Sequence, residues 1–176
     1  MKNKKLEKII IIVTSVFIII TLFLMFGGNL FENRSNARKE NSTLMPEATD
    51  ITAEIKAKTV VEQEFVNTTD TISSLGIVFS RYVYLEGVHI TIELRDGNNV
   101  IASRTVNVAD IEDQHRTFVE PTSVLTGMKG KNLTLRIYSA DKEDTGMKIM
   151  MSENSDSTFK FGNVSVKGTL CFSITE

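Results

Sequence analysis

The chain has 176 residues, 41% of them hydrophobic, with 20 Lys and Arg against 22 Asp and Glu and a net charge of −2. Four of the basic residues but only one acidic residue precede Ile9, so the remainder is mildly acidic, which argues against a nucleic-acid partner or a phosphate-rich substrate. Cys171 is the sole cysteine, which excludes an intrachain disulfide and leaves stability to packing.

Residues 1–8 form a basic tail, with Lys2, Lys4, Lys5 and Lys8 against Glu7. Residues 9–26 then run without a charge, and in helix they span roughly 27 Å, close to the ~30 Å hydrocarbon core of a bilayer. A single N-terminal transmembrane helix, a signal anchor over residues 9–28, is the reading adopted. The positive-inside bias puts the N-terminus in the cytoplasm and the rest across the cell membrane, as a single-pass protein. A cleaved secretory signal is the alternative, with Gly27 and Gly28 as weak small residues at the cleavage site. Residues 29–50 are polar and lack apolar periodicity, as a stalk does.

Residues 51–176 form the extracytoplasmic domain, and there the apolar period is two. Val88, Ile90, Ile92 and Leu94 alternate with His89, Thr91, Glu93 and Arg95, which predicts a half-buried strand. Asp96-Gly97-Asn98-Asn99 predicts a hairpin turn, and residues 100–108 return antiparallel to that strand. Residues 133–138 and 147–151 are further strands, with others near 52–59, 60–66, 72–81, 116–119 and 169–175. A short helical turn is expected at residues 108–113. Many short strands between turn signals predict an all-β fold of two antiparallel sheets packed as a sandwich.

Certain segments carry a resemblance: Gln63-Glu64-Phe65, Leu75-Gly76-Ile77-Val78-Phe79, residues 87–96, residues 106–113, Phe118-Val119-Glu120-Pro121 and Leu133-Thr134-Leu135-Arg136-Ile137. In that order they resemble the jelly-roll, carbohydrate-binding-module-like β-sandwich ectodomains of bacterial envelope membrane proteins. Membrane glycosyltransferases and surface-polysaccharide assembly proteins carry such domains. The resemblance implies a jelly-roll topology and a place near surface-glycan machinery. Longer relatives continue into further membrane spans and the enzyme proper, whereas this sequence ends at Glu176, so the resemblance does not carry their activity over.

No G-x-S-x-G, H-E-x-x-H, phosphate loop or C-x-x-C is present, and neither His89 nor His115 has a nucleophile placed beside it by any motif. The chain is therefore read as a non-enzyme without a cofactor. The acidic loops at Asp141, Glu143 and Asp144 and at residues 152–156 lack the spacing of a calcium-binding loop. Asn33, Asn41, Asn67, Asn132 and Asn163 each begin an Asn-x-Ser/Thr triplet, at a frequency the Asn, Ser and Thr content explains. Sugar recognition uses aromatic faces framed by planar hydrogen-bonding groups. That chemistry selects Tyr82, Tyr84 and Tyr138, with Glu93, Arg95 and Arg136 as polar contacts. Strand parity would put Tyr82 and Tyr84 on one face about 7 Å apart. The expected role is to bind an envelope glycan, or to dock on a polytopic protein of polysaccharide assembly. A purely protein-binding scaffold, or a detached accessory domain of a membrane glycosyltransferase, is the alternative.

Overall fold

The computed structural model describes residues 45–176. The predicted basic tail, the anchor over 9–28 and the stalk up to residue 44 lie outside the described residues. Among the described residues no helix is long and apolar enough to cross a membrane.

Twelve strands and one 3-10 turn follow in chain order: β1 (Asp50–Ile51), β2 (Val60–Val66), β3 (Ser74–Arg81), β4 (His89–Asp96), β5 (Asn99–Asn107), the turn Val108–Asp110, β6 (Arg116–Val119), β7 (Asn132–Tyr138), β8 (Met147–Ser152), β9 (Thr158–Phe161), β10 (Val164–Lys167), β11 (Thr169–Leu170) and β12 (Phe172–Thr175). They form two antiparallel sheets. The first runs β1-β8-β3-β12, with β11 on β8 and β6 on β3; the second runs β10-β9-β2-β7-β4-β5. Only the hairpins β4–β5 and β9–β10 and the pair β11, β12 keep consecutive strands in one sheet; elsewhere the chain crosses from sheet to sheet.

The two-residue period decides which face is inside. Ile90, Ile92 and Leu94 of β4, with Leu133, Leu135 and Ile137 of β7, are fully buried against Leu75, Ile77 and Phe79 of β3. Each such side chain contributes about 1.5–3 kcal/mol. Both hairpins turn on the same chemistry: Gly97 precedes Asn98 and Gly162 precedes Asn163, with φ of 59° and 60° at the glycines. A glycine at the first central position accepts the positive φ that matches strand twist.

The first expected strand, over 52–59, is absent. Thr52 and Ile55 still donate their N–H groups to Ile149 O and Met147 O, both at 2.9 Å, but the segment is an irregular strap beside β8. Thr49 N–H donates to Met151 O at 2.9 Å, so ordered pairing begins before residue 51.

Gln63 joins the two sheets. It is 3% exposed; its Nε2 donates to Thr169 Oγ1 at 2.6 Å, and its Oε1 accepts the Leu170 N–H at 2.7 Å. Gln63→Leu fills the same space but orphans that buried N–H, and is expected to cost about 2 kcal/mol in urea unfolding.

Cys171 occupies the fork where β3 and β8 part beyond Phe79↔Ile149. Its N–H donates to Met150 O at 2.8 Å, and its carbonyl accepts from Val78 N–H at 3.1 Å. The thiol is fully buried, as a small residue under its neighbours, and desolvation pushes its pKa from 9.0 to about 11. Because the folded state holds the neutral thiol, this contribution to stability is complete below about pH 9 and is lost as pH rises toward 11. At pH 8 the folded chain should resist a thiol-alkylating reagent that reacts at once in urea; equal rates in both would contradict this burial.

Candidate functional site

The outward positions of β9, β2, β7, β4 and β5 lie side by side across the second sheet. Strand register sets Lys160 opposite Glu62, Glu62 opposite Arg136, Arg136 opposite Glu93, and Glu93 opposite Ser103. The row alternates in sign, the arrangement that favours cross-strand attraction. One row away, Val60, Tyr138, Thr91 and Thr105 stand in line; on the other side, Glu64, Thr134 and Arg95 do.

Four of the six residues selected from the sequence meet here. Tyr138 donates its hydroxyl proton to Glu93 Oε1 at 2.9 Å. Arg95 Nε lies 3.1 Å from Glu93 Oε2, and Arg136 Nε lies 3.4 Å from Glu62 Oε1. The Arg136 guanidinium also sits 5.3 Å from the Tyr138 ring centre, within cation–π range. Thr91 and Thr105 share a hydroxyl–hydroxyl hydrogen bond of 3.0 Å beside them. These flanking side chains cover Glu93, so a carboxylate on the outward face is only 9% exposed. Desolvation first, and donation to Glu93 second, raise the Tyr138 pKa above its ordinary value. Glu93 Oε2, Arg95 Nε and Arg136 Nε are buried polar atoms whose contacts are ion pairs without hydrogen-bond geometry.

Tyr82 and Tyr84 do not join this face, and each lies beside a different cation. β3 ends at Arg81, so the strand that would set their parity does not reach them. Tyr82 turns toward the outward side of β8, with its ring 5.4 Å from Lys148 Nζ; Tyr84 lies 5.4 Å from the Arg81 guanidinium. The Tyr82 hydroxyl faces Glu54, and desolvation together with that hydrogen bond pushes its pKa up to about 12. The structure adds residues that the sequence reading passed over: Glu62, Lys160 and the Thr91–Thr105 pair. Glu62 was legible as an outward position of β2, but its place beside Arg136 depends on which strand lies next to β7.

Two carboxylates of the acidic loop at Asp141–Asp144 hold backbone N–H groups of other segments. Asp141 Oδ2 accepts the His89 N–H, and Asp144 Oδ1 accepts the Ala57 N–H at 3.3 Å. Among the described residues no three His, Cys, Asp or Glu gather to hold a metal ion. His89 Nδ1 lies 3.4 Å from Asp141, and His115 Nδ1 lies 2.9 Å from the carbonyl oxygen of Asp113.

No family model matches the chain. Nor does any curated protein. Among solved structures, the chain is similar to a Stig cyclase, Fisc from Fischerella sp. TAU in complex with (3Z)-3-(1-methyl-2-pyrrolidinylidene)-3H-indole. The two are 15% identical with a TM-score of 0.33, over 66% of this chain and 57% of that one. The chain therefore spans little more than half of that structure's length, and a likeness so slight carries no argument about activity or ligand.

Proposed function

We propose that this protein is a non-enzymatic interaction module, a jelly-roll sandwich held on the outer side of a bacterial cell membrane by one N-terminal anchor. Its working surface is the β2–β7–β4 face, and its ligand is a glycan strand of the envelope, close to surface-polysaccharide assembly. The observation that carries this reading is the set of contacts Glu62–Arg136, Glu93–Arg95 and Tyr138–Glu93, at separations of 2.9–3.4 Å. Tyr138 offers a ring edge and face, while the carboxylates, guanidiniums and Thr91–Thr105 hydroxyls offer paired donors and acceptors for vicinal hydroxyls. The near balance of acidic and basic groups favours a neutral sugar over a polyanion.

The test is a titration of the full chain, in detergent micelles, against neutral envelope polysaccharides with Tm as readout. Saturable stabilisation is expected for the native chain, for Tyr82→Ala and for Tyr84→Ala. In Tyr138→Ala the affinity should fall about tenfold, in line with losing about 1.4 kcal/mol of stacking and hydrogen bonding. No shift with any glycan would overturn the glycan reading in favour of a protein-binding scaffold.

A further inference from the structure

The second sheet has an open edge beside an apolar cleft. In β2 the backbone groups of even-numbered residues point away from β7: Val60 O accepts from Gly162 N–H at 2.8 Å, whereas Asn67 N–H donates to Lys131 O on the β7 side at 2.9 Å. The ladder between β2 and β9 stops at Glu62↔Lys160. The N–H and C=O groups of Glu64 and Val66 therefore face a side where no strand is paired among the described residues. Val66 is 60% exposed, on an edge that carries neither a proline nor a bulge to discourage pairing.

Alongside lies a half-open cleft of about 160 Å³, lined chiefly by Pro46, Phe65, Val66, Phe172 and Ile174, with Asn67, Thr68 and Thr169 as its polar members. Phe65 and Phe172, both in its lining, pack with ring centres 4.8 Å apart. Engineered apolar cavities of about 150 Å³ accept benzene, so this cleft has room for one large apolar side chain and not for a sugar chain. Its rim is acidic. Glu64 stands on the open edge, Glu47 follows Pro46 and Glu176 follows shortly after Ile174; no cation among the described residues forms an ion pair with any of them.

We propose that this edge is a docking site for an extended peptide of a partner protein that alternates basic and large apolar residues. The peptide adds as a short strand along Glu64–Val66. Its backbone supplies donors and acceptors at the two-residue spacing the edge presents. One apolar side chain enters the Phe65–Phe172 cleft, and the basic residues on either side of it face Glu64 on the edge. A sugar could fill the cleft but could not complete the ladder.

The chain has no Trp, so the indole of a probe peptide is the only one in the sample. The probe is acetyl-Lys-Trp-Lys-Leu-Lys-amide, with a Glu-for-Lys version as control, titrated into the full chain in neutral detergent micelles against empty micelles. The expected result is a saturable blue shift of the Trp emission, with hydrogen exchange slowed at the Glu64 and Val66 amides. The control peptide should bind at least tenfold more weakly. Val66→Pro removes an N–H that serves no ladder bond, so it should keep the native Tm within a few degrees and lose at least tenfold in affinity. Glu64→Lys, an exposed change that leaves the fold alone, should also lose at least tenfold, and it decides the matter if Val66→Pro unfolds. Equal affinity in the variants, unchanged exchange at those amides, or displacement of the peptide by a neutral oligosaccharide would overturn the assignment.

Discussion

Asn67→Ala is expected to lower Tm by about 15 °C, while Asn132→Ala leaves it nearly unchanged. Both asparagines begin Asn-x-Thr triplets, and only their surroundings differ. Asn67 is 2% exposed; its Nδ2 donates to Thr69 O at 2.8 Å and to Met128 O at 3.0 Å, and its Oδ1 accepts from Thr69 Oγ1 at 3.1 Å. Alanine keeps the backbone bonds but strands those partners in a buried corner between β2 and the loop before β7. At about 1–3 kcal/mol for each orphaned group, the total is about 3–4 kcal/mol. Set against a whole-domain stability of about 5–15 kcal/mol, that is a large share. Differential scanning calorimetry of the two variants decides it. A shift of only a few degrees for Asn67→Ala would mean that the corner relaxes or hydrates.

Gly168→Ala should be equally damaging for a different reason. Gly168 lies between β10 and β11, where the chain passes from the second sheet to the first, with φ of 129°. A Cβ there would stand 2.8 Å from Met151 Cε and 2.8 Å from Ser152 O. The methionine methyl can move aside; the backbone carbonyl of β8 cannot. Strain at that φ together with the clash is expected to cost about 4 kcal/mol. Gly97→Ala is the natural comparison: its φ of 59° is also positive, but nothing lies within 4 Å of the added carbon. It should cost about 1–2 kcal/mol. Urea midpoints that fall together for the two variants would show that φ, and not the crowding by Ser152, sets the cost.

The sheets were legible wherever one face is buried and the other solvated. β4, β5, β7 and β8 stand close to where alternation puts them, and the 3-10 turn at Val108–Asp110 falls inside the expected helical turn. The hairpin β9–β10 was missed, although Phe159-Lys160-Phe161 and Val164-Ser165-Val166 alternate around a Gly-Asn turn like that at Gly97-Asn98. The segment 52–59 reads as a strand from its composition, but its hydrogen bonds to β8 are too widely spaced to make a ladder. At the candidate site, strand parity put Glu93 and Arg95 on outward positions, where the structure has them. It does not reveal that Glu93 is covered by its neighbours, or that β2 brings Glu62 beside Arg136, because strand neighbours are a tertiary choice. For Tyr82 and Tyr84, parity was extended past the end of β3, where it has no meaning.

The fork filled by the Cys171 peptide has a temporal consequence. β3 lies at the middle of the first sheet, with β6 on one edge, yet along Ser74–Ile77 its partner on the other edge is β12, about a hundred residues later in the chain. A ribosome delivers these segments in order, so half of β3 must wait for β12 before that edge is closed. Until then an apolar strand is exposed with unpaired N–H and C=O groups, the kind of surface on which chains stick to one another. Completion of the first sheet therefore waits for residues 169–175. A chain interrupted before Thr169 would carry a nearly complete second sheet and an open first one, which marks it for aggregation or proteolysis.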